Sequence, residues 1–142
     1  MVQHLFFYGV LIGEVAPPRV RQLLAGIGPG QPATVPGRLY AIPDPRGAYP
    51  VMLPGAGIVH GRLHEAGSVD LAGLDAFEGV DPHDPLAGEY RRVAVMARLA
   101  DGREVAAQAY LWNREVTAAL VPLPAGDFAR WLAGSGHAPF GS

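Results

Sequence analysis

Residues 90–112, YRRVAVMARLADGREVAAQAYLW, contain the pattern that decides the fold. In each half, apolar residues recur at every second position, which places them on one face of an extended strand. Arg92 and Arg98 fall on the opposite face of the first half. The Asp101-Gly102 pair between the halves is typical of a two-residue hairpin turn. The segment therefore predicts two antiparallel strands, over 90–99 and 104–112.

Further short apolar segments precede and follow this hairpin. Strands are predicted over 4–10, 35–42, 49–53 and 58–64, separated by glycine and proline turns, with 28–36 as a loop. Helical spacing predicts helices around 17–26, over 69–78 with Ser68 as N-cap, and after a cap at Asp127. Because a regular alternation of strand and helix is absent, we predict a mixed, mostly antiparallel α+β domain of about six strands.

Length and composition favour a single domain over residues 1–142. Hydrophobic residues make up 49% of the chain and charged residues 17%, with a net charge of −2. That balance gives no electrostatic reason to expect nucleic acid or an anionic membrane as a partner. The chain has no cysteine, which excludes a cysteine nucleophile and thiolate metal sites. No secretory pattern and no apolar stretch of about 18 residues is present, so we expect a soluble, cytoplasmic protein.

The segment 68–79, SVDLAGLDAFEG, has an acidic residue on the face of a helix that should be buried. At about 100° per residue, Glu78 falls between Leu71 and Leu74 on the apolar face. Asp75 lies closer to the edge of that face. Burial raises the pKa of a carboxyl group, and the negative end of the helix dipole acts in the same direction. A carboxyl group in such a place is suited to general acid/base chemistry near neutral pH.

A structural role for Glu78 is the alternative on this evidence. The carboxylate would then be neutralised by Arg91 or Arg92, which follow after a polar loop. Such a pair would make Glu78 a contributor to stability at neutral pH and not a proton carrier.

Six short motifs, taken in their order and spacing, resemble the gamma-glutamylcyclotransferase-like family, which includes gamma-glutamylamine cyclotransferases. The resemblance extends from about residue 5 to residue 132. The motifs are FFYGVL at 6–11, GRLY at 37–40, AYP at 48–50, LDAFEG at 74–79, EYRRV at 89–93 and VPLPAGDF at 121–128.

The resemblance implies a small mixed β-barrel with packed helices, and it implies roles for particular residues. The substrate's gamma-glutamyl end would be held by Tyr8, Gly9, Val10 and Leu11. Glu78 would be the proton-transfer residue, and Tyr90 and Tyr110 would border the same cavity. The implied activity is a cofactor-independent cyclotransfer on a gamma-glutamyl amine, peptide or related acyl compound, which releases 5-oxoproline and an amine.

Val10 departs from the family, which usually has serine or threonine at this position. If the loop binds substrate through backbone N–H groups, which Gly9 makes accessible, catalysis is retained. If the hydroxyl is needed, this member either acts on an altered substrate or has lost catalysis and is a non-catalytic module that binds a small molecule. A third hypothesis is a lyase that removes a gamma-glutamyl group from a larger metabolite.

We predict no metal site and no cofactor. His60 and His64 are four residues apart, but on a predicted strand this spacing separates them by about 13 Å. They are therefore interpreted as solvent-facing side chains.

Overall fold

The computed structural model describes residues 3–9, 22–43, 48–81, 83–84 and 86–135. Its strands and helices have the following bounds: β1 (His4–Phe7), β2 (Gly30–Ile42), β3 (Tyr49–Glu65), α1 (Leu71–Phe77), β4 (Tyr90–Leu99), β5 (Glu104–Trp112), β6 (Val121–Pro122) and α2 (Phe128–Ser135). Neither α1 nor α2 is long and apolar enough to cross a bilayer, and the described residues contain no other helix that is.

Five of the strands close into a barrel. Their order is β3-β1-β5-β4-β2, and the barrel closes where β2 pairs with β3. The short strand β6 pairs with the end of β2 on the edge that faces away from β3. The β1–β5 pairing is parallel, whereas the other pairings are antiparallel. The predicted fold class, a mixed and mostly antiparallel α+β barrel of about six strands with packed helices, is confirmed.

The hairpin of β4 and β5 forms with the predicted bounds. Val93 pairs with Ala109 and Val95 with Ala107, so small and branched side chains face each other across the ladder. Gly102 in the turn has φ of 89°, a left-handed conformation that glycine adopts without strain. Local sequence chemistry is sufficient to set this register.

Two sequence predictions for the long β2–β3 ribbon are wrong. Residues 30–36 are not a loop but the first half of β2, because Ala33 and Val35 alternate into the core despite the neighbouring prolines. The two strands predicted over 49–53 and 58–64 are one strand, β3. Pro36 pairs with Ile58 and Arg38 with Leu53, so residues 54–57 bulge outward opposite a single residue of β2. The proline and glycine signals mark this bulge.

Helix α1 is shorter than predicted, and its N-cap differs. Asp70, not Ser68, accepts a hydrogen bond from the backbone N–H of Gly73 at 2.9 Å. A carboxylate at this position also complements the positive end of the helix dipole. At the other end Glu78 is the C-cap, and Gly79 leaves the helix with φ of 75°. The cap of α2 is as predicted, since Asp127 accepts from the N–H of Arg130 at 3.0 Å.

Strand β1 is covered on both faces, which explains its unbroken apolar sequence. Phe6 lies in the barrel interior, in one cluster with side chains of β2 to β5 and α2. Leu5 and Phe7 point the other way, into a second cluster that includes Leu74 of α1. The predicted strand over 4–10 ends at Phe7 in the structure, and residue 10 lies outside the described residues. The end of β1 therefore lies where the two clusters meet.

The two histidines of β3 differ in environment. His60 is exposed, as predicted, but His64 is only 3% exposed, so the solvent-facing interpretation is wrong for it. The Nδ1 of His64 is 2.8 Å from the carbonyl oxygen of Gly28, and burial lowers the pKa of the ring. His64 is therefore a neutral core residue. Of the helix predicted around 17–26, the structure describes only the end, where Gln22 and Leu23 are helical.

Candidate active site

A cavity of about 340 Å³ opens between the end of β1 and the C-terminal end of α1. Its size is in the range of small-molecule sites, about 300–1,000 Å³. The described residues that line it are mostly aromatic, with two carboxylates: Phe6, Phe7, Tyr8, Gly9, Ala48, Tyr49, Pro50, Phe77, Glu78, Gly79, Glu89, Tyr90, Tyr110 and Phe128. None of these lining residues is basic.

Glu78 faces this cavity from the C-cap position of α1. Burial raises the pKa of its carboxyl from an ordinary value of 4.5 to about 7, and the negative charge of Glu89 adds to the effect. No basic side chain among the described residues lies within ion-pair distance of it. Glu78 is therefore present in both protonation states near neutral pH, which a group that accepts and returns a proton requires.

Tyr8, Tyr90 and Tyr110 line the same cavity as Glu78, and the hydroxyl of each donates a hydrogen bond. The hydroxyl of Tyr8 donates to the backbone carbonyl of Tyr110. The hydroxyl of Tyr90 donates to the carbonyl of Pro50 at 2.9 Å. Burial is the largest cause of a raised pKa in all three hydroxyls, and the charge of Glu78 contributes to each. The tyrosines are consequently neutral, rigid walls of the cavity.

Asp75, one turn before Glu78, is held by a separate set of contacts. Its two carboxylate oxygens accept from Nε and Nη2 of Arg92 at 2.9 and 3.2 Å. One of them also accepts from the hydroxyl of Tyr110 at 2.7 Å. Arg92 also donates to the side-chain oxygen of Gln108. The structural pair that the sequence allowed for Glu78 with Arg92 is thus formed by Asp75 instead.

Glu89 brings a second carboxylate to the cavity, and its backbone is fixed. Its N–H donates to the carbonyl of Gly79 at 2.8 Å, and its carbonyl accepts from the N–H of Asn113 at 2.9 Å. These bonds hold the residue beside the exit of α1. The side chain itself is exposed.

Of the residues assigned to the site from the sequence, five lie together on the walls of this cavity: Tyr8, Gly9, Glu78, Tyr90 and Tyr110. Val10 and Leu11 lie outside the described residues. Within the described ranges, no group of three His, Asp or Glu side chains is close enough together to hold a metal ion.

The gamma-glutamyl cyclotransferase, AIG2-like family matches residues 5–130 of the sequence. This chain belongs to that family. A comparison with curated proteins gives no match.

Several solved structures have the same fold. A solution structure from Arabidopsis thaliana is 28% identical, with a TM-score of 0.61 over 82% of this chain and 72% of that one. An AIG2-like protein from Mus musculus is 20% identical, with a TM-score of 0.67 over 97% and 96% of the two chains. A structure described as a gamma-glutamyl cyclotransferase is 19% identical, with a TM-score of 0.64 over 87% and 73%.

Sequence reasoning missed several residues of the cavity in this cyclotransferase-family protein. Tyr49 and Pro50 belong to the AYP motif and Glu89 begins the EYRRV motif, but the sequence alone indicates no role for these lining residues. Phe77 falls within the predicted helix, and the sequence indicates no role for it, although it lines the cavity and is 37% exposed. The one indication in the sequence that Glu89 lies at the cavity is its position immediately before Tyr90. Its proximity to Glu78 depends on the contact between Glu89 and Gly79, which joins segments from two motifs.

Asp75→Asn is expected to lower the free energy of unfolding by about 1.5–3 kcal/mol, the range for hydrogen bonds to charged groups. An asparagine nitrogen would face the Arg92 guanidinium, and the two side chains are only 23% and 25% exposed. Urea unfolding measures the loss. Asp101→Asn is the matched control, because the Asp101–Arg103 pair is far more exposed and its removal should have no resolvable effect. Equal stability of the Asp75 variant and the wild type would contradict the structural role of this pair.

Proposed function

We propose that the protein is a cofactor-independent cyclotransferase that converts gamma-glutamyl amines or related gamma-glutamyl compounds into 5-oxoproline and a free amine, with Glu78 as the acid/base. The main support for the proposal is the position of Glu78. It is a carboxyl with a pKa of about 7, without a described cationic partner, in an aromatic cavity of a cyclotransferase-family protein. Catalytic carboxyls are characteristically perturbed in this way.

The reaction needs a proton carrier but no protein nucleophile. The substrate's α-amine attacks its own γ-carbonyl carbon, so a C–N bond forms in the five-membered ring and the bond to the leaving nitrogen breaks. Two protons move from the original α-ammonium to the leaving nitrogen, which departs as an ammonium ion. Glu78 takes a proton from the α-ammonium, delivers it to the leaving nitrogen, and can repeat the transfer. General acid/base catalysis of this kind contributes about 10²–10⁴ in rate.

The aromatic walls supply the other part of the proposed mechanism. Intramolecular attack is fast when the substrate is held folded, and effective molarities of such reactions reach about 10⁵ M or more. Tyr8 and Tyr90, fixed by their hydrogen bonds, would restrict the conformations of the glutamyl chain. The backbone at Gly9, and the residues that follow it, would bind the α-carboxylate or the developing oxyanion through N–H groups.

The test is a panel of gamma-glutamyl conjugates incubated with the purified protein, with 5-oxoproline and free amine measured together. Equal amounts of the two products from small conjugates are expected. Release from bulky conjugates alone would favour the lyase that acts on a larger metabolite. Binding of the conjugates without any release would contradict the proposal and favour a non-catalytic binding module.

A further inference from the structure

Glu89 is a carboxylate at the cavity that the proposed proton transfer does not use. Its backbone is anchored on both sides, to Gly79 and Asn113, so the residue cannot move away without breaking two hydrogen bonds. Its side chain is exposed, and within the described part of the chain it forms no hydrogen bond or ion pair. The carboxylate is thus available to a ligand.

The two carboxylates of the cavity differ in depth. Glu78 lies against the aromatic wall, and its carboxyl is buried enough to raise its pKa to about 7. The deep side of the cavity is closed by Phe6 and Phe128, each only 1% exposed. Glu89 and Phe77 are exposed lining residues and so mark its opening toward solvent. Since Phe6 and Phe128 close the deep side, we expect the leaving group of a substrate whose reacting amine contacts Glu78 to point toward the opening.

We propose that Glu89 is a specificity residue that favours gamma-glutamyl conjugates whose leaving amine carries a second, positively charged group. The proposal rests on the proposed cyclotransferase function. A cation on the leaving group would meet the Glu89 carboxylate at the opening, where no described lining residue supplies a competing positive charge. An anionic leaving group would be repelled by both Glu89 and Glu78.

The experiment compares three conjugates of the same length: the gamma-glutamyl derivatives of a linear diamine, of the matching alkylamine and of the matching omega-amino acid. For the wild type, kcat/KM is expected to be highest for the diamine conjugate, by roughly fivefold over the neutral one, which is the upper value for an exposed ion pair. The anionic conjugate is expected to be the slowest. The preference should shrink as salt is added, because exposed charges are screened.

In Glu89→Gln the ratio between the diamine and alkylamine conjugates is expected to fall to about one. The ratio is the informative quantity, since loss of the Glu89 charge also acts on Glu78 and changes all three rates together. The matched control is Glu104→Gln, the same chemical change at the far end of the β4–β5 hairpin, where Arg98 pairs with Glu104. That variant should keep the wild-type ratio.

Three results would overturn the inference. Turnover of all conjugates without a charge preference would refute the Glu89 proposal and leave the cyclotransferase proposal intact. An equal change of kcat/KM for all three in Glu89→Gln, with the wild-type ratio retained, would show that Glu89 acts on the common glutamyl part or through Glu78 and does not select the leaving group. Absence of 5-oxoproline from every conjugate would refute both proposals.

Discussion

Glu78→Gln is expected to abolish 5-oxoproline release and, above neutral pH, to make the protein more stable than the wild type. Glutamine has nearly the same shape but cannot accept or return a proton, so a rate loss of about 10²–10⁴ is expected. Steady-state assays with a gamma-glutamyl conjugate measure this loss. Glu104→Gln, a surface change outside the cavity, should leave the rate unchanged.

The effect on stability follows from the raised pKa. A carboxyl with a raised folded pKa contributes stability below its unfolded value, and the contribution is lost as pH rises through the folded value. For Glu78 this window runs from about 4.5 to about 7. A tenfold change in the acid dissociation constant corresponds to about 1.4 kcal/mol. Above about pH 7 the ionised Glu78 carboxylate therefore lowers the free energy of unfolding by about 3 kcal/mol.

Urea unfolding of the wild type and Glu78→Gln between about pH 5 and pH 9 therefore separates the two interpretations of this residue. The advantage of the glutamine variant should be small in mild acid and should grow as pH rises through 7. A glutamine variant that is less stable than the wild type above neutrality would show that Glu78 has a structural cationic partner. The position of Arg92, bound to Asp75, argues for the first result.

The parts of the fold that depend on neighbouring residues could be predicted from the sequence. The β4–β5 hairpin is one example, because alternation and the Asp101-Gly102 turn specify the same register. Helix α1 is another, since the spacing of Leu71, Leu74 and Glu78 placed the carboxyl on the buried side. The sequence favours Ser68 as its N-cap because serine is a good capping residue. Asp70 is an equally good cap, and its negative charge also interacts favourably with the positive end of the helix dipole.

The parts that depend on distant pairing could not be predicted from the residues alone. The parallel contact of β1 with β5 joins Leu5 to Gln108, and nothing local in either strand indicates the partner. The bulge over 54–57 is a second example. Its proline and glycine residues are typical of a turn, but the residues before and after it both pair with β2, so the segment is part of one strand. For the site, the approach of Glu89 to Glu78 is likewise a tertiary contact.

Gly61→Ala is expected to destabilise the protein and to impair the site, although Gly61 does not line the main cavity. A Cβ at Gly61 would lie 2.3 Å from the carbonyl oxygen of Phe7 and 2.7 Å from Cζ of Phe6. Both distances are too short, and Phe6 is only 1% exposed and cannot turn away. Overpacking of this kind typically costs about 1–3 kcal/mol, which urea unfolding would detect.

The position of the clash connects this stability loss to function. The Phe7 carbonyl belongs to the last residue of β1, so relief of the contact moves the backbone that leads directly into Tyr8 and Gly9. A displacement of about 1 Å in a residue that positions substrate can cost about 10² in rate, so kcat/KM should fall along with stability. Gly134→Ala is the control: it lies in α2 with no atom within 4 Å of the added Cβ, and alanine should stabilise that helix by about 0.5–1 kcal/mol. A Gly61→Ala protein with wild-type stability and wild-type kcat/KM would show that the end of β1 tolerates displacement, and the positioning role proposed for Tyr8 and Gly9 would then be wrong.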